Sequence, residues 1–130
     1  MKRLSVLALF ISASAAFAAE DPKTAARLAT FNKDIKPIID KSCISCHGKD
    51  GKKPSGKFNA TTLEGLEKGG EDEGKGIIWG DAAKSPLYHL AYLGATDRDQ
   101  DKAMPPKKKK NLSPLATEEL AKIKAWIEAK

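Results

Sequence analysis

The residues best suited to chemistry in this sequence are Cys43, Cys46 and His47, which belong to the pentapeptide Cys-Ile-Ser-Cys-His. A C-x-x-C-H pattern is typical of the attachment site of a c-type haem. Positions i and i+3 of a helix lie on one face, so both thiols can form thioethers with the vinyl groups of one porphyrin, and the next imidazole can reach its iron. The motif therefore predicts one covalently bound haem c, anchored through Cys43 and Cys46, with His47 as an iron ligand.

Two other chemistries use paired cysteines at this spacing, namely a redox-active dithiol and half of a zinc site. Zinc takes about four ligands, and beyond the motif and the first eighteen residues the sequence offers only His89 and carboxylates at no informative spacing. A thioredoxin-like dithiol belongs to a strand-helix unit, and no β-rich segment precedes Cys43. We therefore favour haem attachment.

The haem iron of an electron carrier takes a second axial ligand. Beyond residue 18 the only methionine is Met104, and the only histidine besides His47 is His89. Met104 precedes two prolines, which stiffen the backbone and hold the side chain out from a fixed loop. Its thioether suits iron(II). We predict Met104 as the distal ligand, because His89 would point away from the apolar face of its predicted helix.

Residues 1–18 have the composition of a secretory signal peptide. Two basic residues precede an apolar run that ends in Ala-Phe-Ala, the pattern of an n-region, an h-region and a cleavage site near Ala18. The run is shorter than the roughly 20 residues that span a bilayer, and no second one follows. We expect a periplasmic or otherwise exported chain, 19–130, without a membrane span. Export and the lack of aromatic residues among the lysines argue against a nucleic-acid partner.

Large apolar side chains are scarce in the predicted mature chain. Residues 19–130 contain eight isoleucines, nine leucines, two phenylalanines and no valine, or 17% of 112 residues. A share below about 20% is common in disordered chains, which also carry a high net charge. Here 21 basic and 17 acidic residues leave a net charge of only +4. We infer that a bound group completes the core, and a porphyrin would supply a broad apolar disc.

The motif lies at the end of a stripe that is typical of an amphipathic helix. Apolar or cysteine residues recur at steps of one, three and four: Leu28, Phe31, Ile35, Ile38, Ile39, Cys43 and Cys46. Because proline is tolerated in the first turn of a helix, Pro37 predicts a start at Asn32 or Asp34, with one of them as the cap. The helix would run to about residue 46, and residues 19–30 would form an N-terminal extension.

Three further helices are predicted, and the fold class is all-α because residues that favour strands are few. The first runs from Thr62 to Lys68 and ends at Gly69-Gly70. The second has Ser85 as its cap and Pro86 as its first residue, and it closes at Gly94. The third begins at a Thr117 cap, or one turn earlier at Ser113-Pro114. Its buried face comprises Leu120, Ile123, Trp126 and Ile127.

These motifs resemble a small class I cytochrome c, and more specifically the cytochrome c-like domains of planctomycete-type proteins. The resemblance is carried by Phe31-x-x-Asp34-Ile35-x-Pro37-Ile38-Ile39, Cys43-x-x-Cys46-His47-Gly48, Gly69-Gly70, Gly80-Asp81 with Ser85-x-Leu87, Met104-Pro105-Pro106 and Trp126-Ile127. It covers residues 31–130, which would form the cytochrome c domain. It implies N- and C-terminal helices around one covalently bound haem, with long loops, thioether anchors at Cys43 and Cys46, a proximal His47 and a distal Met104.

The resulting functional hypothesis is a soluble, monomeric one-electron carrier rather than an enzyme. Its iron would cycle between Fe(II) and Fe(III). The alternative is a redox-enzyme subunit, or a gas- or peroxide-responsive haem protein in which Met104 leaves the iron. Lys107 to Lys110 could steer an acidic redox partner. The indole N–H of Trp79 could reach a haem propionate, or the ring could simply fill the core.

Overall fold

The regular secondary structure of this protein is helical. The computed structural model describes residues 21–48 and 53–130. Within these two ranges it contains helices and no strand, and an isolated bridge links Gly70 to Gly74. The all-α prediction is therefore confirmed for the described chain, whereas the predicted signal peptide lies outside it.

The α-helices are short and are joined by long connections. They are α1 (Pro22–Thr30), α2 (Lys36–Ser42), α3 (Ile44–His47), α4 (Leu63–Lys68), α5 (Pro86–Thr96) and α6 (Thr117–Glu128). A π-helical turn, Phe31–Ile35, joins α1 to α2, and a 3-10 turn, Ser55–Lys57, lies between α3 and α4.

The N-terminal helix begins earlier than the sequence predicts. The Asp21 carboxylate caps it by accepting a hydrogen bond from the Lys23 amide, and Pro22 occupies the first turn. Pro37 therefore lies inside a continuous helical segment. The Lys36 amide bonds to the Phe31 carbonyl, five residues back, so the helix is already widened where the proline ring would otherwise crowd a carbonyl. The prediction of a start at residue 32 or 34 was wrong.

The core is formed where this N-terminal segment crosses α6. Phe31 stacks on Trp126 with ring centroids 6.0 Å apart, and the Trp126 indole donates to the Arg27 carbonyl at 3.1 Å. The predicted faces of both helices are largely confirmed. Buried residues include Phe31, Ile35, Ile38, Ile39, Leu120, Ile123, Trp126 and Ile127. Leu28 departs from the predicted stripe, because its side chain is 41% exposed.

The end of α4 is as predicted, and its start lies one residue later. Thr62 is the cap and accepts a hydrogen bond from the Gly65 amide at 3.1 Å, and Gly69 ends the helix with a φ of 76°, which is the left-handed region that favours glycine. Helix α6 starts at Thr117, and its cap is Ala116, one residue earlier than predicted. The Glu119 carboxylate accepts from the Ala116 amide at 2.9 Å.

Ser85 precedes α5 as predicted, but its hydroxyl does not cap that helix. The side chain is fully buried. It accepts a hydrogen bond from the Ile78 amide at 2.8 Å and donates to the Asp81 carbonyl at 2.8 Å. The hydroxyl therefore fixes the preceding loop, and the helix starts on the preset φ of Pro86.

Candidate functional site

The four residues predicted to hold a cofactor line one cavity of about 520 Å³. They are Cys43, Cys46, His47 and Met104. Apolar side chains make up much of the rest of the wall, including Ile39, Phe58, Leu87, Leu90, Ala91, Leu112, Leu115 and Ile123. This volume and lining are typical of cofactor sites, which measure about 300–1,000 Å³. Residues that are far apart in the sequence therefore come together around this cavity.

The two cysteines and His47 share one helical turn. The Cys43 amide bonds to the Ile39 carbonyl at 2.8 Å, and the His47 amide returns to the Cys43 carbonyl at 2.9 Å. Burial, reinforced by the neighbouring Cys46, raises the pKa of the Cys43 thiol to about 11. Nucleophilic cysteines instead need a lowered pKa. The environment therefore favours a protonated thiol against an apolar wall and gives no support to a redox-active dithiol.

His47 is held in the tautomer that an iron ligand needs. Its Nδ1 lies 3.0 Å from the Ser55 carbonyl oxygen. Because a carbonyl can only accept, Nδ1 carries the proton and the lone pair of Nε2 is left for a metal. Burial lowers the pKa of this imidazole, which favours the neutral ring. The edge of the ring packs against Phe58, with centroids 5.2 Å apart.

Met104 is positioned by helix α5. Its amide donates to the Leu90 carbonyl at 2.9 Å, and its neighbours Ala103 and Pro105 are buried. Gly94 lies directly beneath it, since a Cβ added there would be 1.8 Å from the Met104 carbonyl oxygen. Helix α5 continues through Gly94 to Thr96. The predicted role of Gly94 as a helix terminator was wrong, because this glycine permits a close backbone approach.

The two alternative contacts considered from the sequence lie away from the cavity. His89 is exposed on α5 and does not line it. The Trp79 indole donates to a Glu67 carboxylate oxygen at 2.9 Å. Its ring lies between the Arg27 guanidinium, at 4.0 Å, and the edge of Trp126. Trp79 is therefore partly buried against the core, and its N–H has a protein partner.

Acidic side chains dominate the exposed lining of the cavity. Glu71, Asp72, Glu73 and Asp101 contribute to it, together with one cation, Lys102. Lys102 pairs with Glu73, and that hydrogen bond raises the pKa of its ammonium. The exposed lysines 107–110 do not line the cavity. They therefore form a separate basic surface next to the Met104 loop.

Comparison with known families agrees with this geometry. The profile of the planctomycete cytochrome C family matches residues 43–108, half of the chain, including the cysteine motif and Met104. The chain belongs to the planctomycete cytochrome C family. The resemblance inferred from the motifs is thereby confirmed, and membership suggests a haem c protein. No curated protein and no solved structure gives a significant match.

Within residues 21–48 and 53–130, every helix is too short or too polar to span a membrane. No group of three or more His, Cys, Asp or Glu side chains in those ranges is arranged to hold a metal ion.

Several contacts that build the site could not be read from the sequence. The Ser55 and Leu90 carbonyls act through the backbone, so their residue types carry no signal. Gly94 was visible as a glycine, but a packing glycine and a terminating glycine look alike in one sequence. Arg98, which lies just beyond α5, had no recognisable pattern at all, although its guanidinium contacts the loop that follows Met104.

Proposed function

We propose that this protein is an exported monohaem c-type cytochrome that carries single electrons. Cys43 and Cys46 would hold the haem through thioether bonds, and His47 and Met104 would ligate its iron. The observation that carries the proposal is the convergence of all four residues on one apolar cavity. The bound group would supply a one-electron couple between Fe(III) and Fe(II).

The chain's own residues would make that site rigid. The hydrogen bond from His47 to the Ser55 carbonyl fixes the ring and leaves Nε2 free to bind. The bond from the Met104 amide to the Leu90 carbonyl anchors the other candidate ligand to α5. With the haem bound, the apolar walls would limit the access of water to the space between them. A site with both axial positions filled suits electron transfer, whereas oxygen chemistry needs an open position.

The basic segment at residues 107–110 is proposed to steer an acidic redox partner. All four lysines are exposed. Lys107 pairs with Asp99, and lysines 108–110 form no ion pair with any described acidic residue. Charges at the rim of an interface act chiefly on the rate of encounter, and salt screens them. We expect neutralising substitutions at residues 108–110 to slow reduction by an acidic donor at low salt and to matter little at high salt.

A redox titration of the purified protein with optical spectra tests the proposed function. We expect reversible one-electron behaviour, with c-type absorption bands and a ferric sulfur-to-iron charge-transfer band. Carbon monoxide should bind slowly or not at all to the native ferrous protein at neutral pH, and Met104→Ala should bind it rapidly. Rapid binding by the native protein would contradict a pure carrier and favour a ligand-responsive haem protein.

A further inference from the structure

Arg98 links the two ends of the basic loop that follows Met104. This residue lies two positions beyond the end of α5 and is half-buried. Its Nη2 donates to the Pro106 carbonyl at 3.1 Å and to the Leu112 carbonyl at 3.3 Å. Both acceptors belong to residues that line the cavity. One guanidinium thus connects α5 to the wall on either side of residues 107–110.

Two prolines follow Met104, so a hydrogen bond that ties this part of the loop to the segment after α5 needs a donor from outside the loop. Pro105 and Pro106 have no backbone N–H, so the two residues after Met104 offer only carbonyls. The Pro106 carbonyl accepts from the Lys109 amide at 2.9 Å, and that bond is internal to the loop. Of these two bonds, only the one from Arg98 connects the Pro106 carbonyl to the segment that follows α5.

The contact also places a guanidinium beside a segment of like charge. Four lysines follow Pro106, and like charges repel. In addition, the Arg98 Nε is buried and has no hydrogen-bond partner among the described residues. Asp97 and Asp99 flank Arg98 in the sequence and offset part of this repulsion, so the two carbonyl bonds are the specific contacts that hold the guanidinium at this loop. Both bonds come from one nitrogen, Nη2, whose two N–H groups the planar guanidinium holds in fixed directions, whereas the N–H groups of a lysine ammonium rotate freely.

We propose that Arg98 is a positioning residue for Met104. The Met104 amide is tied to α5 through Leu90, and Arg98 ties the chain two residues later. Together the two bonds fix the segment between them against the cavity. The role in iron ligation rests on the proposed function, in which Met104 binds the iron. The proposal that Arg98 fixes the loop does not depend on iron binding by Met104.

Hydrogen exchange on the complete haem-loaded protein tests the proposal. In Arg98→Gln, we expect the Met104, Lys109 and Leu112 amides to exchange about tenfold faster than in the wild type, the effect of losing charge-assisted hydrogen bonds. The Leu120 amide in α6 should keep its rate. Arg98→Lys should fall between, because its ammonium has enough N–H donors for both carbonyls but lacks the planar group that fixes their directions. Lys108→Gln removes a charge from the same loop without touching the contact and should leave all these rates unchanged.

The ferric sulfur-to-iron band supplies the second readout. It should weaken at a lower temperature in Arg98→Gln than in the wild type or in Lys108→Gln. Unchanged loop exchange in Arg98→Gln, or equal acceleration at Leu120, overturns the positioning role. A wild-type protein without the band refutes Met104 ligation instead, and with it the role of Arg98 toward the iron. In that case, the hydrogen-exchange rate of the Met104 amide tests only whether Arg98 fixes the loop.

Discussion

The close approach of Gly94 to Met104 makes Gly94→Ala a sharp test of how the ligand loop is held. A Cβ at Gly94 would lie 1.8 Å from the Met104 carbonyl oxygen and 2.5 Å from its carbonyl carbon. Both are backbone atoms, so no side-chain rotation relieves the clash. Because Cβ contacts under 3.0 Å essentially never occur, the loop and α5 must separate by about 1.2 Å or more.

Two opposing effects decide the sign of the change in stability. Alanine in the interior of a helix is favoured over glycine by roughly 0.5–1 kcal/mol. Overpacking against a fixed backbone costs about 1–3 kcal/mol, and the separation also strains the hydrogen bond from Met104 to Leu90. We therefore expect a net destabilisation of up to about 2 kcal/mol, together with a weakened ferric sulfur-to-iron band.

Denaturant unfolding and the ferric spectrum of the haem-loaded variant measure both effects. Ala95→Gly is the matched control, because this neighbouring residue is exposed and the substitution lowers helix propensity without approaching Met104. It should cost up to about 1 kcal/mol and leave the band intact. A Gly94→Ala protein that is more stable than the wild type, with an unchanged band, would refute the packing described at Met104.

Three further predictions concern other parts of the molecule. Ser85→Ala leaves the partly buried Ile78 amide without its side-chain acceptor and should lower the free energy of unfolding by about 1–3 kcal/mol; a loss below roughly 0.5 kcal/mol by denaturant titration would count against this. The Lys41 ammonium first, and a backbone amide second, lower the pKa of Glu119, so its contribution to stability is complete above the ordinary glutamate pKa and is lost as pH falls through the lowered value. Comparing Glu119→Gln with the wild type between pH 7 and about pH 3 should show a stability gap that closes on acidification, and a gap that widens would contradict the assignment. Met104→Ala should abolish the ferric sulfur-to-iron band and His89→Ala should retain it; the reverse pattern would make the histidine the ligand.

The parts of the fold that follow from local chemistry could be predicted. Thr62 and Gly69 delimit α4 through a side-chain cap and a left-handed backbone, and both signals depend on nearby residues alone. The N-terminal helix shows the limit of such signals. Pro37 indicated a helix start, but the π turn that precedes it lets the helix continue. That turn has no simple signature in the sequence.

The candidate site likewise contains residues that the sequence indicates and contacts that it does not. The cysteine motif is local, and Met104 followed from the scarcity of other ligands, so the sequence sufficed to nominate both. The residues that orient them act over longer distances. The contacts from Ser55 to His47 and from Arg98 to Pro106 and Leu112 depend on how loops cross, and a backbone carbonyl is the acceptor in each. Such contacts cannot be inferred from residue type.

We propose that one haem is bound covalently through Cys43 and Cys46. The most direct test is a pyridine haemochrome spectrum of the purified protein, quantified against protein concentration. We expect the α band of a c-type haem at one equivalent per chain, and its loss when both cysteines are replaced by alanine. A spectrum without a c-type α band, or one that persists in the double variant, would contradict it.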